Sequence, residues 1–555
     1  MVQAATDLLN GRNRLGSNGS IVVADSNGRD YPDSGDDPNG RDDIDDPSRI
    51  APDEHDALVT IAHGAVVTSG AVSAQRALTT ATEFVLTRGL GPATYGVYAY
   101  AWRITQVLVQ LVTFGSVPAL QRYVPAASDD PDTQSRVTGL AYATTIAMGV
   151  LFAVAIWLLA PLINEWTVSD PSFTPTLRLF GPLIGLLGLV SVAAAVFRAI
   201  GSARGEVAFN KLLRPGVRLA GASLALVLGY SIVGVAGAIV AATLLLVVVG
   251  VPVSVRTTGI APTLRGARRE CYRFYNHAAP VAMSSFGKVF QNRVDVLLVG
   301  ALLTSVAAGV YNVVLVLISL AWIPLLSFNQ LLPPVASDLY AADRMETLNG
   351  VYGSVTRLIV TTVLPLLAVL GVYGAELLAV FGPTYTAGYV PLVVYLGGVF
   401  VGSAVGATGW LLMMTDHQYA RMILDWLLAV LNVVLTYAFV VRYGLVGAAL
   451  GTSLAITVQN GLQVLLLRRF EGLWPFDRTF LTPIAAGVVM VGCMLAVRES
   501  VGGLLGVVVG TPVGTGGYLL TLRVLGVDPR DRLVVTELAA SYRTLLSEWV
   551  PIERR

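Results

Sequence analysis

One short pattern occurs twice in apolar surroundings: Gly96-Val97-Tyr98 returns as Gly309-Val310-Tyr311. A second does the same, Gly234-Val235-Ala236-Gly237-Ala238 returning as Gly444-Leu445-Val446-Gly447-Ala448, again about 210 residues later. A third echo lies in the charges, because Arg76 and Glu83 stand seven residues apart in one apolar stretch and Lys288 and Asp295 seven apart in another. A chain that repeats a hydrophobic layout, with a cation and an acid at matching places, is expected to fold as two related halves, the plan of many membrane transporters.

The runs themselves name the solvent. Of the 555 residues, 54% are hydrophobic and 13% charged, about half the charged share of an ordinary soluble domain. Stretches such as Ile232 to Val255 reach the ~20 apolar residues that cross a bilayer. The expected fold is therefore an all-α polytopic membrane protein of about 14 transmembrane helices, with two six-helix lobes in parallel repeat and two further C-terminal helices. The expected order is a disordered acidic leader over 1–56, an N-lobe over 57–255, a basic linker over 256–276, a C-lobe over 277–470, two spans over 471–525 and an amphipathic tail over 526–555. The leader carries 13 Asp/Glu against 5 Arg and no apolar core of a signal peptide. Arginines gather in alternate connections, including five from Arg256 to Arg273, so the positive-inside rule places both termini in the cytoplasm of a multi-pass cell-membrane protein.

Charge inside a span costs several kcal/mol unless it pairs or meets water, which makes such residues functional candidates. Arg76, Lys288 and Arg293 are candidate substrate-binding cations; Glu83, Asp295 and Asp425 are candidate ion-coupling acids. The competing reading makes them interhelical ion pairs that fix packing. Arg103 and Arg357 are expected to snorkel from helix ends, and Asp425 is a candidate partner for Arg218. No phosphate-binding G-x-x-x-x-G-K-[ST] loop is present, so no ATP-driven motor resides in this chain. His55, His63, His277 and His417 show no metal-ligand spacing, and Cys271 and Cys493 stand far apart, so neither a metal site, a disulfide framework nor a catalytic centre is indicated. No cofactor and no nucleic-acid partner are expected.

Three segments carry a family likeness. Thr87-Arg88-Gly89-Leu90-Gly91-Pro92-Ala93-Thr94-Tyr95-Gly96-Val97-Tyr98 resembles the stretch between the first two helices of Wzx-type polysaccharide flippases, in the multidrug/oligosaccharidyl-lipid/polysaccharide exporter superfamily. Leu431-Asn432-Val433-Val434-Leu435 with Arg442-Tyr443-Gly444-Leu445-Val446-Gly447-Ala448-Ala449 resembles a later segment of that family, and Pro334-Val335-Ala336-Ser337 the end of its eighth helix. The resemblance implies a monomeric flippase that moves a lipid-linked oligosaccharide, on a polyprenyl phosphate or pyrophosphate, by alternating access. It further implies coupling to Na+ or H+, and glycosyltransferases or a polymerase of the same pathway as partners beside the membrane lipids. The alternatives are a cation-coupled multidrug exporter of the same superfamily and a membrane glycosyltransferase or polymerase; more cations than acids inside the spans favour anionic cargo.

Overall fold

The computed structural model describes residues 52–329, 332–526, 528 and 531, with side chains except at 52–69, 203 and 284–293. Residues 1–51 of the expected leader, and the tail save for its first few residues, lie outside that range, while 52–56, expected in the disordered leader, belong to the first helix. Among the described residues every regular element is a helix, and nine helices are long and apolar enough to cross a membrane, ten if one bent pair counts as a single span. Apolar side chains on the outer faces stand open, Leu158 at 62% and Val508 at 68% exposure, as suits elements whose surroundings are lipid while their backbone bonds close internally.

The first half begins with α1 (Pro52–Leu90), α2 (Pro92–Val112), α3 (Ser116–Ala126), α4 (Pro131–Trp166) and α5 (Phe173–Ala199). It continues with α6 (Ala203–Glu206), a π-helical stretch (Val207–Leu213), α7 (Arg214–Val227) and α8 (Ile232–Thr258). The second half follows the same plan: α9 (Arg268–Leu302), α10 (Ser305–Ala321), α11 (Ile323–Asn329), α12 (Leu332–Ala341) and α13 (Met345–Val372). After α14 (Gly374–Phe381) and a 3-10 turn (Pro383–Gly388) come α15 (Tyr389–Ala404), α16 (Thr408–Met414) and α17 (Gln418–Glu471). Two more helices, α18 (Leu481–Ser500) and α19 (Gly503–Leu525), pack on α13, where Tyr373 donates to the Met494 carbonyl and Tyr518 to that of Thr361.

Local chemistry sets the boundaries. Pro92 opens α2, a position where its missing amide costs nothing. Asp130 caps α4 by accepting from the Thr133 amide at 3.0 Å, and Thr304 caps α10 by accepting from Ala307. In α17 the helical path breaks at Gly444 (φ 59°, ψ −132°), which turns two helical arms into a hairpin. A side chain at Gly447 would strike the Phe439 carbonyl, so the repeated Gly-x-x-Gly-Ala pattern reads here as close approach of the two arms.

One expectation of chain order needs correction. The basic connection between the halves is shorter than 256–276: α8 runs to Thr258 and α9 begins at Arg268, with Phe274 and Ala278 buried against α3, α4 and α5. The helical stretch leading into α7 starts at Ala203. Between α13 and α15 fold α14 and the 3-10 turn, with Leu378, Phe381 and Tyr385 buried.

The repeated Gly-Val-Tyr pattern marks where α2 crosses α10. A methyl at Gly96 would meet the Ser305 carbonyl carbon and oxygen, and one at Gly309 would lie 3.1 Å from the Gly96 Cα. Both glycines are thus required by backbone approach between the halves. Gly96→Ala should destabilise the purified protein by about 1–3 kcal/mol or more through overpacking. Gly237→Ala, with nothing within 4 Å of the added methyl, should be neutral or slightly stabilising in a helix; thermal unfolding in detergent compares them.

Candidate functional site

Beside the α2/α10 crossing lies a chain of buried polar groups that spans both halves. Arg103 donates to the Asn312 side-chain oxygen at 2.6 Å, Asn312 donates to the Tyr95 hydroxyl at 2.7 Å, and Tyr95 donates to Glu83 at 2.8 Å. The other Glu83 oxygen takes a 2.7 Å bond from Arg218, whose Nε donates to Tyr98 at 3.1 Å. The Arg218 guanidinium also sits 4.0 Å from the centre of the Trp102 ring, a cation–π contact that helps a charge away from water. Glu83, Arg218 and Asn312 are at most 6% exposed. An acid and a base buried like this are stable together only where their oxygens and nitrogens find partners.

At the same end of the bundle the halves also meet through α1 and α14. Phe84 and Phe381 contact edge to face, Arg88 donates to the Val380 carbonyl at 2.9 Å, and Tyr95 stacks edge-on against Tyr385.

In the second half Asp295 repeats the Glu83 theme with different partners. It accepts from Tyr311, the tyrosine of the second Gly-Val-Tyr, at 3.0 Å and from the Val296 amide at 2.8 Å. It borders a cavity of about 210 Å³ together with Asn432, Thr452, Gln459 and Asn460. That volume holds several waters or a hydrated ion, and its lining supplies oxygen acceptors of the kind hard cations take.

The sequence candidates divide accordingly. Glu83 and Asp295 are buried at corresponding places, one ion-paired within its own half and one beside a cavity. Asp425 lies near that cavity's rim, accepting from Arg421 and from Gln459, both at 2.8 Å; its expected pairing with Arg218 does not form, because Glu83 holds that guanidinium. Arg76 sits two turns below Glu83 on α1, half-buried, with a buried Nε that has no partner. Lys288 and Arg293 fall in α9, and their side chains lie outside the described ones.

Two arginines expected to snorkel are instead interior. Arg103 is 8% exposed within the cross-half chain, and Arg357 is 2% exposed. Arg357 binds Asp531 through two nitrogens at 2.6 and 2.9 Å, Asp477 at 2.9 Å and Asp528 at 3.2 Å, tying the residues after α19 to α13. Burial pushes the Asp477 and Asp531 carboxyls up. At Asp477 the hydrogen bonds of Thr479 and Phe480 and the Arg357 charge outweigh burial and leave it below the usual range, whereas at Asp531 burial prevails.

Sequence reasoning missed Tyr95, Asn312, Thr452 and Gln459 as site residues. Asn312 had a usable signal, a lone amide directly after the repeated Gly-Val-Tyr in an otherwise apolar run.

Glu83→Gln should cost about 3–5 kcal/mol, since it strands the Arg218 charge in a buried setting. Adding Arg218→Met should recover much of that loss. Asn312→Leu, which removes the acceptor for Arg103, should cost about 1–3 kcal/mol. Thermal unfolding in one detergent ranks the variants; an unrecovered double variant would show that the pair is not coupled.

Residues 85–389 match the family described as polysaccharide biosynthesis protein, a span that includes Tyr95, Arg218, Asp295 and Asn312. Comparison with curated proteins finds no match. Among solved structures the chain resembles the lipid II flippase MurJ in an inward closed conformation, with a TM-score of 0.66 at 14% identity over 83% of this chain and 98% of that one. It also resembles an inward-facing multidrug resistance MATE family transporter of the MOP superfamily, with a TM-score of 0.61 at 15% identity over 72% and 94%. A further MOP superfamily transporter, from Pyrococcus furiosus, described as having a binding pocket of reversed polarity, gives a TM-score of 0.53 at 16% identity over 76% and 96%. The chain therefore has the fold of the MOP superfamily transporters, and it belongs to the polysaccharide biosynthesis protein family.

Proposed function

We propose that this protein is a flippase that carries a lipid-linked oligosaccharide, on a polyprenyl phosphate or pyrophosphate, across the cell membrane by alternating access. The reading rests on one observation above the rest. In a chain of the polysaccharide biosynthesis family, the two halves join at one end of the bundle through the Gly96/Gly309 crossing and the Asn312 bonds. A joint made of a glycine contact and a few exchangeable hydrogen bonds is one that rigid halves can open and close. One structure of the same fold is a lipid II flippase, and Arg76, Lys288 and Arg293 supply intramembrane positive charge suited to a phosphate leaving water. With both termini cytoplasmic, the joined end faces outward.

Coupling to Na+ or H+ is assigned to Asp295 and its cavity, with Glu83 and Asp425 as further acids of the same kind. The acid-bordered cavity also favours a second reading, a cation-coupled exporter of cationic compounds, because a carboxylate beside open volume attracts positive cargo. Cargo chemistry separates the two.

Deletion in the native host should leave lipid-linked glycan in the inner leaflet and deplete surface glycan; an unchanged leaflet distribution rejects the flippase. Asp295→Asn should remove the response of transport to an imposed Na+ or proton gradient while the protein stays folded. Bridging Phe84→Cys to Phe381→Cys with a short reducible cross-linker should stop transport until reductant is added. Full transport in the bridged protein would reject opening at this end.

A further inference from the structure

Beneath the Glu83–Arg218 pair, on the same two packed elements, lies a group of cations that outnumber the acids around them among the described residues. Arg218 belongs to α7, and Arg214 lies one turn before it; Lys211 lies in the π-helical stretch that leads into α7, and Arg76 faces them from α1. Lys211 interacts electrostatically with Arg76, Arg214, Arg198 and Glu206. Glu206 is already engaged, by Arg198 at 2.6 Å and by Asn210 at 3.3 Å. Arg76, Lys211 and Arg214 therefore carry three positive charges with no carboxylate of their own among the described residues.

Depth makes that excess costly. At roughly 1.5 Å per residue, Arg76 lies about 21 Å from the Leu90 end of α1 and Arg214 about 20 Å from the Val227 end of α7. Both are thus at one level inside a hydrocarbon layer of roughly 30 Å. The buried, unpartnered Nε of Arg76 is an unspent donor at that level. Interior cations of this kind need counter-charge.

The backbone departs from the α-helix at the same place. The Arg214 amide reaches the Phe209 carbonyl five residues back. Pro215 offers no amide, and its ring would crowd the carbonyl four residues before it in a regular helix. Widening the coil accommodates Pro215, the sort of π-turn found at functional sites, and Lys211 within it is near enough to Arg76 of α1 and to Arg214 to feel both charges.

We infer that Arg76, Lys211 and Arg214 form a binding site for the phosphate group of a lipid within the first half of the bundle. The site deepens the flippase reading and rests on it for its role in transport, although the binding itself does not. Two lipids present this chemistry, a polyprenyl phosphate carrier and an anionic phospholipid headgroup.

The test uses the full-length protein in phosphatidylcholine nanodiscs, with polyprenyl monophosphate as probe and the uncharged polyprenol as control. The wild type should prefer the phosphate over the alcohol. Lys211→Gln and Arg214→Gln should each weaken phosphate binding at least about ten-fold, the scale of one charge-assisted hydrogen bond. Arg214→Lys should keep most of it, which separates lost charge from lost fold. Displacement of the probe by phosphatidylglycerol assigns the site to headgroups, and resistance to displacement assigns it to the carrier; both sustain a lipid-phosphate site. Equal phosphate binding by wild type and the Lys211→Gln/Arg214→Gln double variant overturns it, as does a wild type that holds polyprenol as tightly as the phosphate. An unchanged leaflet distribution on deletion rejects transport alone, whereas unchanged binding in the variants rejects this site alone.

Discussion

The structure depends on how closely α2 and α10 approach. With no side chain at Gly96 or Gly309, the two backbones touch, and only then can Asn312 reach Tyr95 and Arg103. In lipid there is no hydrophobic drive between helices, so small residues and interhelical hydrogen bonds are what hold spans together. Here both act within one crossing. The Glu83–Arg218 pair is attached to it through Tyr95, so the packing of the first half and the joint between halves share one polar chain.

Buried charge follows a consistent rule through the bundle. Where an acid and a base fall side by side they close on each other, as in Glu83 with Arg218 and in Arg357 with its aspartates. Other buried charges lie where the surroundings change character. Asp295 and its neighbours border a cavity, and the Arg76, Lys211 and Arg214 group coincides with a π-turn.

The family likeness read from Thr87 to Tyr98 lies within the residues that match the family, and the all-helical membrane fold was plain from the apolar runs. The interior arginines were less legible. An Arg near a helix end reads as snorkelling because its own sequence neighbourhood shows only depth. Arg357 is interior because Asp477, Asp528 and Asp531, more than a hundred residues away, fold onto it. The expected Asp425–Arg218 pair failed for a related reason, since repeat position says which residues correspond but not which ones touch.

By itself the sequence determined the solvent, the all-helical class and the duplication, because apolar run length, proline and glycine placement and a 210-residue spacing are local or periodic properties that a string of residues displays. It also displayed that the repeated glycines mattered. Only the tertiary structure decided what they do and which charges are spent. Contacts such as Asn312 to Tyr95, or Arg218 to Glu83, join residues more than a hundred positions apart, and a buried charge is stable or functional according to partners that chain order does not reveal.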